Sequence, residues 1–319
     1  MFTWWEKIVD LLVYNIWGLD PHSAVGSAVH FFIFDTIKIW ILLIVIIFAV
    51  SFLRTWFNTE YVRAHLQGKS AFYGYVVAAL FGIITPFCSC SAIPLFLGFI
   101  QARIPIGVTF SYLISAPMNN EIAIAMLFGL FGWKITAIYI IFGLAVAVLG
   151  GWIIGKLNLE DQILIDVKPI NAEFHADVVK ISLKERTKEA WDYTYDIFKK
   201  IYIYVMIGVG VGAWIHGYIP TDFIAQYTGQ GNPFAVIIAV VMGVPMYSNA
   251  AGVMPLVEVL TNKGMLLGTA LSFMMAVTAL SLPEALILKK ILSTKLIAIF
   301  FTIVGSGIIA IGYLFNAIL

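Results

Sequence analysis

The chain has 319 residues, 61% of them hydrophobic and only 12% charged, with a mean hydropathy of +0.95. Soluble domains are about half apolar and about a quarter charged, so this composition describes a polytopic membrane protein rather than a soluble enzyme. A net charge of +1 leaves no basic surface for nucleic acid, and two cysteines one residue apart, Cys88 and Cys90, are no disulfide framework.

Residues 1–27 open the chain with Trp4, Trp5, Leu11, Leu12 and Trp17 interleaved with Glu6, Lys7 and Asp10. That pattern predicts an amphipathic helix lying in the membrane interface. Residues 1–20 lack the basic start and small-residue cleavage site of a secretory signal. Eight apolar stretches then reach the roughly 20 residues that a spanning helix needs, at 30–53, 72–100, 106–130, 134–155, 196–217, 233–260, 265–290 and 295–317. A long polar segment falls between the fourth and the fifth. The expected organisation is a first transmembrane repeat over 28–157, a linker over 158–190 and a second repeat over 191–319.

Polar residues match at one offset of 161: Asp35 with Asp196, Lys38 with Lys199, Pro94 with Pro255, Gly107 with Gly268, Ser111 with Ser272, Lys134 with Lys295 and Gly151 with Gly312. Apolar coincidences are cheap, but matches of Asp, Lys, Gly and Pro at one spacing predict a duplication. The expected fold is therefore all-α and polytopic, with two homologous halves of about four spans each. If the long second and sixth stretches turn back as re-entrant hairpins, the span count changes and the halves become inverted. Lysines in the 158–190 segment predict a cytoplasmic linker, and an even span count per half predicts cytoplasmic termini. Asp35 and Asp196, each three residues before a lysine, read as helix-start charges with a local ion pair.

Two sequences break the apolar runs at related points: Pro86-Phe87-Cys88-Ser89-Cys90-Ser91 and Pro245-Met246-Tyr247-Ser248-Asn249-Ala250. Proline removes a backbone donor and ends a helix. Broken helices at matching points of two halves are the best sequence pointer to a transporter's binding site. On a regular helix, residues two apart diverge, so Cys88 and Cys90 can grip one atom only if the backbone there is irregular. Thiols suit soft, thiophilic species. Ser115-Ala116-Pro117-Met118-Asn119-Asn120-Glu121 places two amides and a carboxyl deep in the third stretch. A carboxyl there is functional by default, and Glu121 is the candidate proton carrier. Ser281-Leu282-Pro283-Glu284 repeats the Pro-then-Glu pattern, but Glu284 is aligned with Ala123, so it reads equally as a second proton-coupling carboxyl and as a structural or interfacial residue. Ser89, Ser91, Asn119, Asn120, Tyr247, Ser248 and Asn249 complete the expected binding site. No metal-ligand spacing, P-loop or hydrolase motif is present in the sequence, and no cofactor or catalytic residue is expected.

The Thr85–Ser91, Ala116–Glu121 and Val244–Gly252 motifs resemble the ArsP-type permease family, from around residue 30 onward. The resemblance implies a prokaryotic inner-membrane permease, with efflux of trivalent organoarsenicals, and hence arsenic resistance, for some members. By motif, it implies that Cys88 and Cys90 are the arsenical-facing thiols. A methylarsenical with two open valences needs only two thiols. The expected function is thus export of a small thiophilic solute, with membrane lipid and a thioredoxin-like protein as the further candidate partners and no nucleic acid. The alternative is a membrane thiol–disulfide carrier that works with thioredoxin-like proteins through Cys88 and Cys90.

Overall fold

The computed structural model describes residues 3–21, 23–54, 71–85, 89–164, 183–218, 228–229, 232–246, 250–262 and 264–318. Among them the architecture is helical. Thr3–Asp10 forms α1, continued by a π-helical turn over Leu11–Ile16. Ala24–Arg54 is α2, Ala71–Ile84 α3, Ser89–Gln101 α4, Ile106–Met118 α5 and Glu121–Lys156 α6. Leu183–Tyr218 is α7, Ala235–Gly243 α8, Ala250–Asn262 α9, Leu267–Ala279 α10, Leu282–Leu288 α11 and Thr294–Ile318 α12. Among the described residues, four segments are long and apolar enough to cross a bilayer: Val25–Ala49, Glu121–Lys156, Leu267–Leu288 and Thr294–Ile318. The long linker expected at 158–190 lies largely outside the described residues.

The amphipathic N-terminus docks on the start of α2. Trp5 Nε1 donates to Phe34 O at 3.3 Å, and His30 Nε2 lies 2.8 Å from Asp10 Oδ1. Trp4, Ile8, Leu11 and Trp17 stay exposed, as an interfacial helix requires. The chain is already helical at Ala24, so Asp35 and, in α7, Asp196 are not helix-start charges. The local pair does form at Asp35, with Lys38 Nζ 3.4 Å away.

The centre of the fold is α5, every residue of which is buried. Its neighbours' directions can be read from their contacts. Tyr75 of α3 lies beside Gly107, while Ala79 O accepts from Ser115 Oγ at 2.6 Å, so α3 runs parallel to α5. Helix α4 is joined to α5 by only the four residues 102–105, a connection so short that two packed helices must double back on one another; Phe96 packs on Phe110 and Phe99 on Tyr112, each at 5.2 Å between ring centres. Hence α3 and α4 run in opposite directions. The stretch 72–100 is a re-entrant hairpin, not one crossing. The arrangement around α10 is alike. Gly243 of α8 sits against Ala276 and Val277, Val236 sits beside Gly312, and α9 returns through a turn at Gly264. Of the two arrangements the sequence leaves open, α3–α4 and α8–α9 follow the re-entrant one, because the helix interrupted after Ile84 or Gly243 resumes in the reverse direction.

Helix α6 lies antiparallel to α5. Gly151 and Gly107 approach so closely that a β-carbon on Gly107 would sit 2.5 Å from Gly151 O. Ser111, one turn on, donates back to Gly107 O at 3.2 Å. The same arrangement joins α10 to α12, where Gly268 meets Gly312 and Ser272 Oγ donates to Gly268 O at 2.9 Å. Small residues let helices approach closely where no hydrophobic force drives them together. Gly132, with φ 80° and ψ 177°, breaks α6 and redirects it; that region is essentially open only to glycine. The kink divides the merged helix at the point where the sequence predicts a boundary between two stretches.

Two further contacts matter below. Helices α2 and α7 pack antiparallel: Phe32 lies beside Gly210, Trp40 beside Phe198 and Tyr202, and Phe48 beside Trp191. Helices α6 and α12 also cross antiparallel: β-carbons on Gly307 and Gly150 would lie 2.7 Å from Val146 and 3.3 Å from Ile303.

Overpacking a close helix crossing costs about 1–3 kcal/mol. Gly151→Leu and Gly312→Leu are each expected to lower the thermal-unfolding midpoint of detergent-purified protein by several degrees. Gly129→Ala, at a glycine with nothing within 4 Å of an added β-carbon, should leave it unchanged.

Candidate functional site

Two helix breaks lie inside crossing segments. The first separates α5 from α6 at Asn119 and Asn120. Pro117 has no backbone N–H, and the chain leaves helical geometry at Asn119 (φ −109°, ψ 43°) and Asn120 (φ −61°, ψ 136°). The groups freed there are satisfied by protein, as hydrocarbon demands. Tyr139 Oη donates to Met118 O at 2.6 Å, Asn119 N donates to Ser115 O at 2.9 Å, and Asn120 Oδ1 accepts from Ile122 N at 2.9 Å. Asn119 is fully buried and lies against Gly143, where any β-carbon would collide with its amide. Among the described residues, Asn119 Oδ1 and Glu121 Oε2 are buried without a hydrogen-bond partner.

The second break separates α10 from α11 at Leu280 and Ser281, with Pro283 in the first turn of α11. Leu282 N donates to Val244 O at 3.0 Å, which ties this break directly to the end of α8 and so to the tip of the second hairpin. Ser281 Oγ and both oxygens of Glu284 find no partner among the described residues. Glu284 has no exposed surface, and α11 packs on α7. Glu284 is thus a carboxyl enclosed by protein.

The hairpins' second arms reach the other half. Helix α4 begins at Ser89 and touches α11, while α9 begins at Ala250 and touches α6. Each arm thus contacts a helix of the other half that adjoins a break. Ser89, Cys90 and Ser91 form the first turn of α4, with side chains outside the described residues. Cys88, Tyr247, Ser248 and Asn249 also lie outside them. Asn119, Asn120 and Glu121 come together at the first break; Glu284 belongs to the second. No cluster of three or more His, Cys, Asp or Glu suited to a metal exists among the described residues. Sequence reasoning missed Tyr139 and Gly143, which hold the first break. A phenol and a glycine inside an apolar stretch were their only signal.

The chain matches the ArsP_1 family, described as predicted permeases, over residues 24–317. It belongs to that family. It is 26% identical to the UPF0718 protein MJ0584 of Methanocaldococcus jannaschii, over 79% of this chain and 87% of that protein. It is 24% identical to the UPF0718 protein YcgR of Bacillus subtilis, over 52% of this chain and 56% of that protein. A putative two-component membrane permease complex subunit of Streptococcus mutans is 23% identical, over 60% of this chain and 62% of that protein. No solved structure matches. With its apolar helices, the chain is a multi-pass membrane permease.

Tyr139→Phe leaves the Met118 carbonyl without its donor and is expected to cost about 1–3 kcal/mol. A lowered unfolding midpoint together with reduced transport would identify Tyr139 as the residue that holds the break; unchanged values for both would remove that role.

Proposed function

We propose that this permease exports a small thiophilic solute, with trivalent organoarsenicals as the substrate class, from a prokaryotic inner membrane. The solute binds at mid-membrane between the hairpin tips and the two helix breaks. What supports the reading is the bond from Leu282 N to Val244 O, which joins the second break to the end of α8, together with the contacts of α4 on α11 and of α9 on α6. Interrupted helices that line a cavity are how transporters present polar groups at membrane depth. Cys90 falls in the first turn of α4, and Cys88 precedes it in the sequence, outside the described residues. A methylarsenical with two As–OH groups condenses with two thiols to give two As–S bonds and two waters, and the reverse hydrolysis releases it. Ser89, Ser91, Asn119, Asn120, Tyr247, Ser248 and Asn249 supply the polar lining. Glu121 and Glu284 carry the coupling protons, one carboxyl beside each break.

The decisive assay is growth of a metalloid-sensitive bacterium that expresses the native chain or Cys88→Ser/Cys90→Ser. Protection against methylarsenite by the native chain, lost in the variant at equal membrane abundance, supports the reading. Protection by neither removes the arsenical. In vesicles, Glu121→Gln and Glu284→Gln should each reduce pH-driven uphill transport at least tenfold while substrate binding persists. Normal pH-driven transport by both variants would remove the proton role.

A further inference from the structure

We infer that the chain crosses the membrane six times, as two oppositely oriented sets of three crossings and one re-entrant hairpin. The connection between α6 and α7 is cytoplasmic, and both Thr3 and Ile318 face outside. This holds whichever solute is carried.

The first argument is helix direction. The end of α6 and the start of α7 share a face, because one connection joins them. Helix α2 is antiparallel to α7, so α2 ends on that linker face and begins on the opposite one, where α1 docks beside Phe34. Helix α12 is antiparallel to α6, so it ends on the opposite face too. There Tyr313 Oη donates to Pro233 O at 2.6 Å, at the start of α8. On the linker face, Leu164 N donates to Ile291 O at 2.8 Å and Ser293 N donates to Gln162 O at 2.8 Å, joining the end of α6 to the α11–α12 turn. On the terminal face, Gly229 pairs with Met265, joining the segment after α7 to the α9–α10 turn. The α3–α4 hairpin therefore enters from the linker face and α8–α9 from the terminal face.

The contacts also carry a two-fold relation. Val146 meets Gly307, its own equivalent at offset 161, and Gly150 meets Ile303, the equivalent of Phe142. Numbers that rise in one helix as they fall in the other place the axis across the helices, hence in the membrane plane. Inverted repeats have that symmetry.

The second argument is charge. Of the 19 lysines and arginines, Lys38, Lys199 and Lys200 lie within α2 and α7; Lys7, Lys134 and Lys263 belong to the terminal face; the other thirteen belong to the linker face. Lys and Arg in short connections mark the cytoplasm. A scheme in which α3–α4 crosses once would set Arg54, Arg63 and Lys69 opposite the linker lysines and mix positive charge over both faces. Turning the hairpin back removes the conflict. It also replaces the cytoplasmic termini expected from an even span count with external ones.

The test is accessibility in intact cells to a membrane-impermeant maleimide. Single cysteines are placed at Arg103, Lys156, Lys290, Lys134 and Lys263 in a Cys88→Ser/Cys90→Ser background. Lys134→Cys and Lys263→Cys should label from outside; the other three should label only after permeabilisation. Labelling of Arg103→Cys and Lys263→Cys from the same side would overturn the inversion. Labelling of the linker-face set from outside would overturn the orientation. Because a cysteine variant can misfold, alkaline phosphatase and green fluorescent protein fused after Leu319 give a second readout. An active phosphatase and a dark fluorophore are expected, and the reverse would overturn the external C-terminus.

Discussion

Everything in this fold answers to one constraint: in hydrocarbon, each backbone N–H and C=O needs a protein partner. A continuous helix satisfies that by itself. The breaks at Asn119–Asn120 and Leu280–Ser281 do not, so each requires a neighbour at a fixed place. Tyr139 must stand opposite Met118, and the end of α8 must stand opposite Leu282. These requirements lock α6 to α5 and the second hairpin to the second break. The close glycine crossings at Gly107–Gly151 and Gly268–Gly312 then let the helices come near enough for those bonds to form.

The same constraint explains why interior polar groups gather where they do. Asn119, Glu121, Ser281 and Glu284, beside the two breaks, leave hydrogen-bonding capacity unused among the described residues, as do Thr36, Trp40 and Asn316 elsewhere. A packing-only role would be expected to consume that capacity across helices. The proposed function draws on that capacity at the breaks.

Much of this was legible in the amino-acid sequence, because proline and small polar residues interrupt apolar runs for reasons of backbone chemistry. The interruptions after Ile84 and Gly243, the motif at Asn119 and the matching positions at offset 161 were all visible. Direction was not. Hydrophobicity reports that a segment sits in lipid or in a core and says nothing about whether the chain continues or turns back after Pro86. The depth of Glu284 was hidden as well, since its burial depends on α7, which is distant in sequence. Asp35 was misplaced because Ala24–His30 is only moderately apolar and disguises the true start of α2. The positive charges of Arg54, Arg63 and Lys69 gave a conflict that only the hairpin could resolve.

The central claim is that two halves of opposite orientation meet across α6 and α12. Disulfide cross-linking tests it most directly, with paired cysteines in a background lacking Cys88 and Cys90. The antiparallel crossing predicts that Val146→Cys joins Gly307→Cys and that Gly150→Cys joins Ile303→Cys under mild oxidation. If Gly150→Cys instead joins Ile311→Cys while the Val146–Gly307 pair still forms, the helices run parallel and the account is contradicted.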